Sequence, residues 1–308
     1  GRPTLRRNRI HNGKRSGIYV HHDGAGLIED NDIHRNAMAG VEIEHGGNPT
    51  LRQNRVYDGL ESGIYIHDNG LGVFESNQVY SNVLAGVEVC TGANPAMKSN
   101  RIYHNHQAGV HVHHNGKGTY ATNEITGNLL SGVEIETGAD PVVKLNRIHD
   151  GKQSGVLVHT DGKGTVEDNE IRGNTFCGVE IQSKGDPCVK NNHICDSAKD
   201  GVRVSNGGIG RLEGNNISHN TMNGVTISKG SNPVLLENKI HSCGSEGVVI
   251  MEQSRGALEE NEIYGNAFGG VTISDTSDPT LLNNKKVHDL FGQDSVNYKP
   301  EQNVPTPL

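Results

Sequence analysis

A 23-residue repeat runs through most of this 308-residue chain. Its first copy can be framed as residues 2–24, RPTLRRNRIHNGKRSGIYVHHDG, and its second as 25–47, AGLIEDNDIHRNAMAGVEIEHGG. The register holds without insertion through a twelfth copy ending at Ser277. A partial thirteenth keeps Asn284 but carries Lys286 where an apolar residue belongs. Position 7 of each copy is Asn, from Asn8 to Asn284, and position 16 is Gly, from Gly17 to Gly270. Position 4 is apolar from Leu5 to Leu281, position 9 is Ile or Val from Ile10 to Ile263, and positions 17 and 19 are Ile or Val, as in Val41 and Ile43.

Apolar residues one apart at positions 17 and 19 are a strand alternation, and positions 4 and 9 mark two further short strands. Gly and Asn between them supply the positive φ that tight turns need. Such short strands cannot bury a face alone, but stacked coils bury a continuous column. An Asn buried in every coil can hydrogen-bond the next coil's turn and satisfy groups the turn leaves free. The pattern therefore predicts one all-β domain, a parallel β-solenoid of about 13 coils with three short strands per coil and an asparagine ladder. At the ordinary strand spacing the rod is roughly 60 Å long.

Composition narrows the function. With 28 Lys+Arg against 36 Asp+Glu, no Trp and 4 % aromatics, the chain is a poor nucleic-acid binder. No apolar run is long enough to span a membrane, and no charged-then-apolar signal sequence opens the chain. Five cysteines, Cys90, Cys177, Cys188, Cys195 and Cys243, fall in columns that do not stack. Free thiols and a cytoplasmic or nuclear location are the expectation. The chain starts inside a coil, as a trimmed fragment would. Residues 2–288 are expected to form the solenoid, and 289–308 a capping segment, plugged by Leu290 and Phe291, with a flexible tail.

The pattern N-x-[IV]…G-[IV]-x-[IV] over residues 2–284 resembles the right-handed parallel β-helix of the PbH1 repeat family, also called CASH domains. The resemblance implies that positions 17 to 20 form a first sheet, whose outer face binds substrate in polysaccharide-acting members. It also implies that the Asn ladder lies between the second and third sheets. A second period of 46 residues sits on the first. Odd copies open with Asn-Pro or Asp-Pro (Pro49, Pro95, Pro141), and even copies have Gly second (Gly72, Gly118, Gly164). In this the repeats look most like the substrate-binding domain of the β-helical F-box-only proteins, receptors of cullin-type ubiquitin ligases.

Positions 5 and 8 alternate in charge from coil to coil, as in Arg6, Glu29, Arg52, Glu75, and Arg9, Asp32, Arg55. Opposite charges one coil apart set register and solubility. Position 14 of even coils is apolar (Met38, Leu84, Leu130, Phe176, Met222, Phe268) and is expected to shield a corner under neighbouring side-chain stems.

The outer face of the first sheet carries a stripe. Odd coils offer Tyr19 and His21, Tyr65 and His67, His111 and His113, then His159. Even coils offer Glu42 and Glu44, Glu88, then Glu134 and Glu136. Beyond the eighth coil the same positions hold Arg203, Ser205, Thr226 and Ser228, which read as ordinary surface. Three readings compete: a register ladder, a groove for a protein segment or a glycan, and an acid/base or zinc site. The residues repeat rather than converge, so no catalytic or metal residue and no cofactor is assigned. The expected function is a monomeric, non-catalytic recognition module of the F-box-receptor type, binding through these twelve residues. The alternatives are a carbohydrate-binding or carbohydrate-active β-helix and a structural rod.

Overall fold

The computed structural model describes residues 1–285 and the backbone of the strand Val296–Lys299. Each coil contributes three short strands, as in Thr4–Arg6, Arg9–His11 and Ile18–Val20. They stack into three parallel sheets in which residues i and i+23 face one another, as Val87 faces Val110. The first sheet holds the strands at positions 17–19, the second those at 3–5 and the third those at 8–10. The chain is a right-handed parallel β-helix of 12 to 13 coils, as the repeat predicts. Among the described residues no helix is long and apolar enough to cross a membrane.

The four apolar columns point inward together. Val87 and Val89 are buried while Glu88 between them is turned outward. Leu51, Val56, Ile64 and Ile66 show the same closure within one coil. Burial of one such aliphatic side chain contributes about 1.5–3 kcal/mol, and every coil repeats it. Tyr120, the largest fully buried side chain, sits in the position-4 column with its hydroxyl donating to the Lys117 carbonyl at 3.2 Å.

The Asn ladder lies between the second and third sheets and is fully saturated. Asn54 Nδ2 donates to Asn77 Oδ1 at 2.9 Å and to the Ile28 carbonyl at 2.8 Å. The Asn54 backbone N–H reaches the same Asn77 Oδ1 at 3.0 Å. The structure corrects the turn chemistry. The ladder Asn is not the left-handed residue; its predecessor is, and in most coils that residue is not Gly: Arg7, Gln53, Leu145 and Glu237 all have φ between 53° and 57°. A left-handed L-residue costs roughly 1–2 kcal/mol. The ladder's hydrogen bonds, repeated at every coil, hold the bend against that cost.

A second ladder stands at position 12, where the sequence reading singled out no column. Asn82 Nδ2 donates to Asn105 Oδ1, and Asn105 Nδ2 to Asn128 Oδ1, each at 3.0 Å. These asparagines explain the position-16 glycine. A Cβ on Gly86 would stand 2.6 Å from Asn105 Nδ2 and 2.7 Å from the Gly109 carbonyl oxygen. Close approach, not positive φ, requires glycine there. The 46-residue period has a similar cause. Gly164, at φ 103°, packs against Pro141 of the preceding coil, whose carbonyl oxygen would lie 2.7 Å from a Cβ.

The charge columns pair as their alternation predicts. Glu29 bridges Arg6 and Arg52, and Lys98 meets Glu75 at 3.1 Å. In the other column Arg101 and Glu124 meet at 2.9 Å. The position-14 corner is only partly shielded. Phe176 lies under the Arg203 guanidinium, but Met38, Leu130, Met222 and Phe268 remain exposed. Leu290 and Phe291 lie outside the described residues. The strand Val296–Lys299 pairs in parallel with Gly269–Ser274 and extends the first sheet.

Candidate functional site

The first sheet sets its outer face by alternation: positions 17 and 19 enter the core, so positions 18 and 20 must point out. Position 18 then stacks Tyr19, Glu42, Tyr65, Glu88, His111 and Glu134 in successive coils. The rings do not stand free. Tyr19 stacks on His21, Tyr65 on His67 and His111 approaches His113, with centroids 4.6, 4.3 and 4.4 Å apart.

Hydrogen bonds then run diagonally between coils. His113 Nε2 donates to Glu88 Oε1 at 3.2 Å, His159 Nε2 to Glu134 Oε1 at 3.1 Å, and His111 Nε2 to Glu136 Oε1 at 3.1 Å. Ser62 Oγ donates to Glu88 Oε2 at 2.5 Å, and Tyr19 donates to Glu44. Burial pushes the Glu88 and Glu134 carboxyls up. Hydrogen bonds from His113 and Ser62 to Glu88 and from His159 to Glu134, with the charge of neighbouring imidazoles, together offset it, and both are lowered from the ordinary carboxylate value. The hydrogen bond to Glu134 raises His159 against the opposing effect of burial. The bond to Glu44 lifts the Tyr19 phenol to about 12. From Glu88 to His159 the stripe is a ladder of half-buried His–Glu pairs.

The pairing breaks at one place. His67 Nδ1 is taken by Asp68 Oδ2 at 2.9 Å, and its Nε2 is buried with no hydrogen-bond partner. That atom faces Glu42 Oε1 at 3.5 Å and Glu44 Oε2 at 3.7 Å. Among the described residues these three side chains form one of two groups able to bring ligand atoms within 4.8 Å of one another; Glu44, His45 and Asp68 form the other.

Further along the same face the side chains shorten and the surface sinks. One hollow of about 320 Å³ is lined by Glu134, Leu157, Phe176 and Glu180. A second, of about 410 Å³, shares Glu180 and Gln182 with it and continues past Arg203, Ser205, Thr226 and Ser228 to Met251. Together they form a trough over coils 6 to 11, about 24 Å long at the strand spacing. Its floor is held rigidly. Arg203 donates from Nε and Nη2 to Asp200 Oδ2 at 3.0 and 2.8 Å, and Asp200 is buried. Of the twelve residues expected to bind, Glu134 lines this trough. The sequence reading passed over the rest because Ser205, Thr226 and Ser228 carry little chemistry alone; their small size is what makes the depth.

A second column also escaped the sequence reading. On the outer face of the third sheet His11, His34, Tyr57, Tyr80 and Tyr103 stack at 4.8–5.0 Å. The signal was an aromatic every 23 residues at position 10. Its rings cover one another.

The family model described as "Right handed beta helix region" matches residues 1–129, 110–187 and 180–292. No curated protein matches the chain. Among solved structures the chain is similar to the periplasmic alginate epimerase AlgG, at 13 % identity and TM-score 0.68, covering 86 % of this chain and 77 % of that one. It is also similar to the A-module of the Azotobacter vinelandii mannuronan C-5 epimerase AlgE6, at 15 % identity and TM-score 0.52, covering 100 % of this chain and 87 % of that one. These matches correct two expectations. The F-box-receptor reading falls, because the matched structures are enzymes named for alginate and mannuronan; its basis was the repeat, which those folds share. The cytoplasmic or nuclear location falls as well, because a matched structure is periplasmic. The cysteine argument behind it has a physical flaw. Cys90, Cys177, Cys195 and Cys243 are free but buried, and Cys177 is pushed up to about 12 by burial, so such thiols survive in any compartment.

Proposed function

We propose, from the premise that this chain belongs to the right-handed β-helix family, that it binds a glycan along the outer face of its first sheet. The observation that supports this reading is the trough over coils 6 to 11. It is long, shallow and continuous, which suits a chain rather than a compact ligand. Hydroxyls of Ser205, Thr226 and Ser228, with Asn206 and Lys229, offer hydrogen bonds, and Leu157 and Phe176 offer apolar surface. The two matched epimerases lend the same direction, and a site outside the cytoplasm goes with it.

Charge selects the kind of glycan. Glu88 and Glu136 lie on the same face beside the trough and Glu134 lines its upstream end, each already paired to a histidine, and Glu180 lies in the trough. Arg203 is committed to Asp200. The trough lining sets four carboxylates, Glu134, Glu180, Asp200 and Glu252, against two cations, Arg203 and Lys229. A polyanionic sugar chain would meet net negative charge, so the occupant is a neutral, hydroxyl-rich glycan. The ladder upstream serves as the rigid shoulder of the site.

Affinity electrophoresis through gels containing neutral polysaccharides tests this, with a uronic-acid polymer as the anionic comparison. Retardation by a neutral polymer, abolished by Thr226→Arg on the trough floor, is the expected result. No retardation by any neutral polymer, or equal retardation of Thr226→Arg, would overturn it. Assay of the same mixtures for new reducing ends or unsaturated products reports whether binding leads to chemistry.

A further inference from the structure

We infer that Glu42, Glu44 and His67 form a binding site for one divalent transition-metal ion, of which zinc is the natural probe. The inference does not rest on the glycan reading, since the site sits at coils 2 and 3, away from the trough. It concerns the one point where the stripe's ladder fails to close.

Each of the three side chains has one polar atom held and one facing a common point. Ser16 donates to Glu42 Oε2, leaving Oε1 toward His67. Tyr19 donates to Glu44 Oε1 and His45 Nδ1 lies 3.0 Å from the same oxygen, leaving Oε2 toward His67. Asp68 Oδ2 accepts from His67 Nδ1 at 2.9 Å, which leaves Nε2 as the nitrogen facing the two glutamates. That is the carboxylate–histidine arrangement that orients a metal-ligating imidazole and raises its basicity.

The buried His67 Nε2 has no hydrogen-bond partner and faces two carboxylate oxygens, at 3.5 and 3.7 Å, at or just beyond hydrogen-bond reach. An ion between them would engage all three atoms at once. The two histidine–glutamate spacings fit: ligand atoms about 2.0–2.1 Å from a tetrahedral ion stand about 3.3 Å apart, so those two close by a few tenths of an ångström. All three ligand atoms lie within 4.8 Å of one another. One imidazole with two carboxylates is a borderline donor set that suits zinc and its first-row neighbours better than calcium or magnesium. All three ligands lie on the outer face, so the remaining position opens to solvent.

The repeat supplies its own control. His113 and His159 occupy the column of His67, yet each donates directly from Nε2 to a glutamate at 3.2 and 3.1 Å. Neither is followed by Asp: His114 and Thr160 stand where Asp68 does. The combination of two outward glutamates in one coil and His-Asp in the next occurs only at coils 2 and 3.

The test uses the chain stripped with a chelator and titrated calorimetrically with zinc, with bound metal counted after dialysis by elemental analysis. The expected result is one ion per chain, lost or weakened at least thirtyfold in His67→Ala and Glu44→Gln and unchanged in His113→Ala. Asp68→Asn, which keeps all three ligands, should weaken binding about 10–100-fold. Cobalt in place of zinc should give the absorption of a low-coordinate site. Circular dichroism checks each fold, and if His67→Ala misfolds, Asp68→Asn carries the decision. The proposal is overturned if the wild type holds no ion, if Asp68→Asn binds as tightly as wild type, or if His113→Ala loses the ion equally, which would mark scattered binding among the 17 histidines.

Discussion

At the residue scale, His159 on the first sheet and His34 on the third respond to pH in opposite senses. His159 titrates higher in the folded chain because it donates to Glu134. Its contribution is complete below its ordinary 6.5 and is lost as pH rises through the folded value. Glu134 titrates lower when folded, so its share is present above the ordinary 4.5 and is lost as pH falls through the depressed value. His159→Gln should therefore cost about 1 kcal/mol near pH 5.5 and less at pH 8, read from urea unfolding at the two pH values. A cost that does not depend on pH would contradict the pair. His34 has the other sign. Burial lowers it, neither ring nitrogen has a partner, and its stack neighbours His11 and Tyr57 leave no room for solvent. Its neutral form is favoured on folding, so stability is full above 6.5 and declines as pH falls through the folded value. His34→Tyr, continuing the tyrosines of its column, should raise the melting temperature at pH 5 and leave it nearly unchanged at pH 8.

At the element scale, the coil is held by its ladders more than by its strands, which are mostly three residues long. Asn123 illustrates the stakes. Its Oδ1 accepts from the backbone and side chain of Asn100, and its Nδ2 donates to Met97 O and Asn146 Oδ1. Asn123→Ala removes all four bonds. Asn100 Nδ2 keeps the Phe74 carbonyl and Asn146 Oδ1 keeps the residue-123 N–H, but the Asn100 N–H loses its acceptor and the Met97 carbonyl its side-chain donor. The change should cost about 3 kcal/mol, given roughly 1–3 kcal/mol for a single buried orphan. The urea midpoint should fall, and hydrogen exchange should quicken first in the adjoining coils, because a stacked repeat couples only to its neighbours. Uniform loss of protection along the rod would contradict that coupling. The same ladder marks where the sequence was legible. Thirteen asparagines in one column imposed stacking, register and a buried role. The position-12 ladder was less visible because Gly, Ser and Cys interrupt it, at Gly59, Ser197 and Cys243. The left-handed residue before each Asn was invisible, since Arg, Gln, Leu and Glu have no intrinsic preference for that conformation and accept it only because the ladder holds the bend.

At the scale of the whole molecule, the repeat determines a rod with three faces, and function depends on where a face departs from uniformity. The Tyr/His/Glu stripe was conspicuous in sequence because its residues carry charge and rings. In the structure most of that chemistry is spent internally, from Glu88 to His159. The trough was inconspicuous because it arises from shortening, Arg203 excepted, and a column of Ser and Thr reads as plain surface until neighbouring walls give it depth. The break at His67 was likewise hidden, since it depends on which nitrogen Asp68 engages. Compartment and partner class were not legible at all; a fold shared by many activities transmits neither.

The central claim is that the trough on the first sheet holds a neutral glycan chain. The most direct measurement is a calorimetric titration with oligosaccharides of increasing length, prepared from whichever neutral polymer retards the chain in a gel. Affinity should climb with each added sugar until the roughly 24 Å trough is filled and then level off, with the climb absent in Thr226→Arg. Affinity that is flat from the shortest oligomer onward, or a climb that survives Thr226→Arg, would contradict the account.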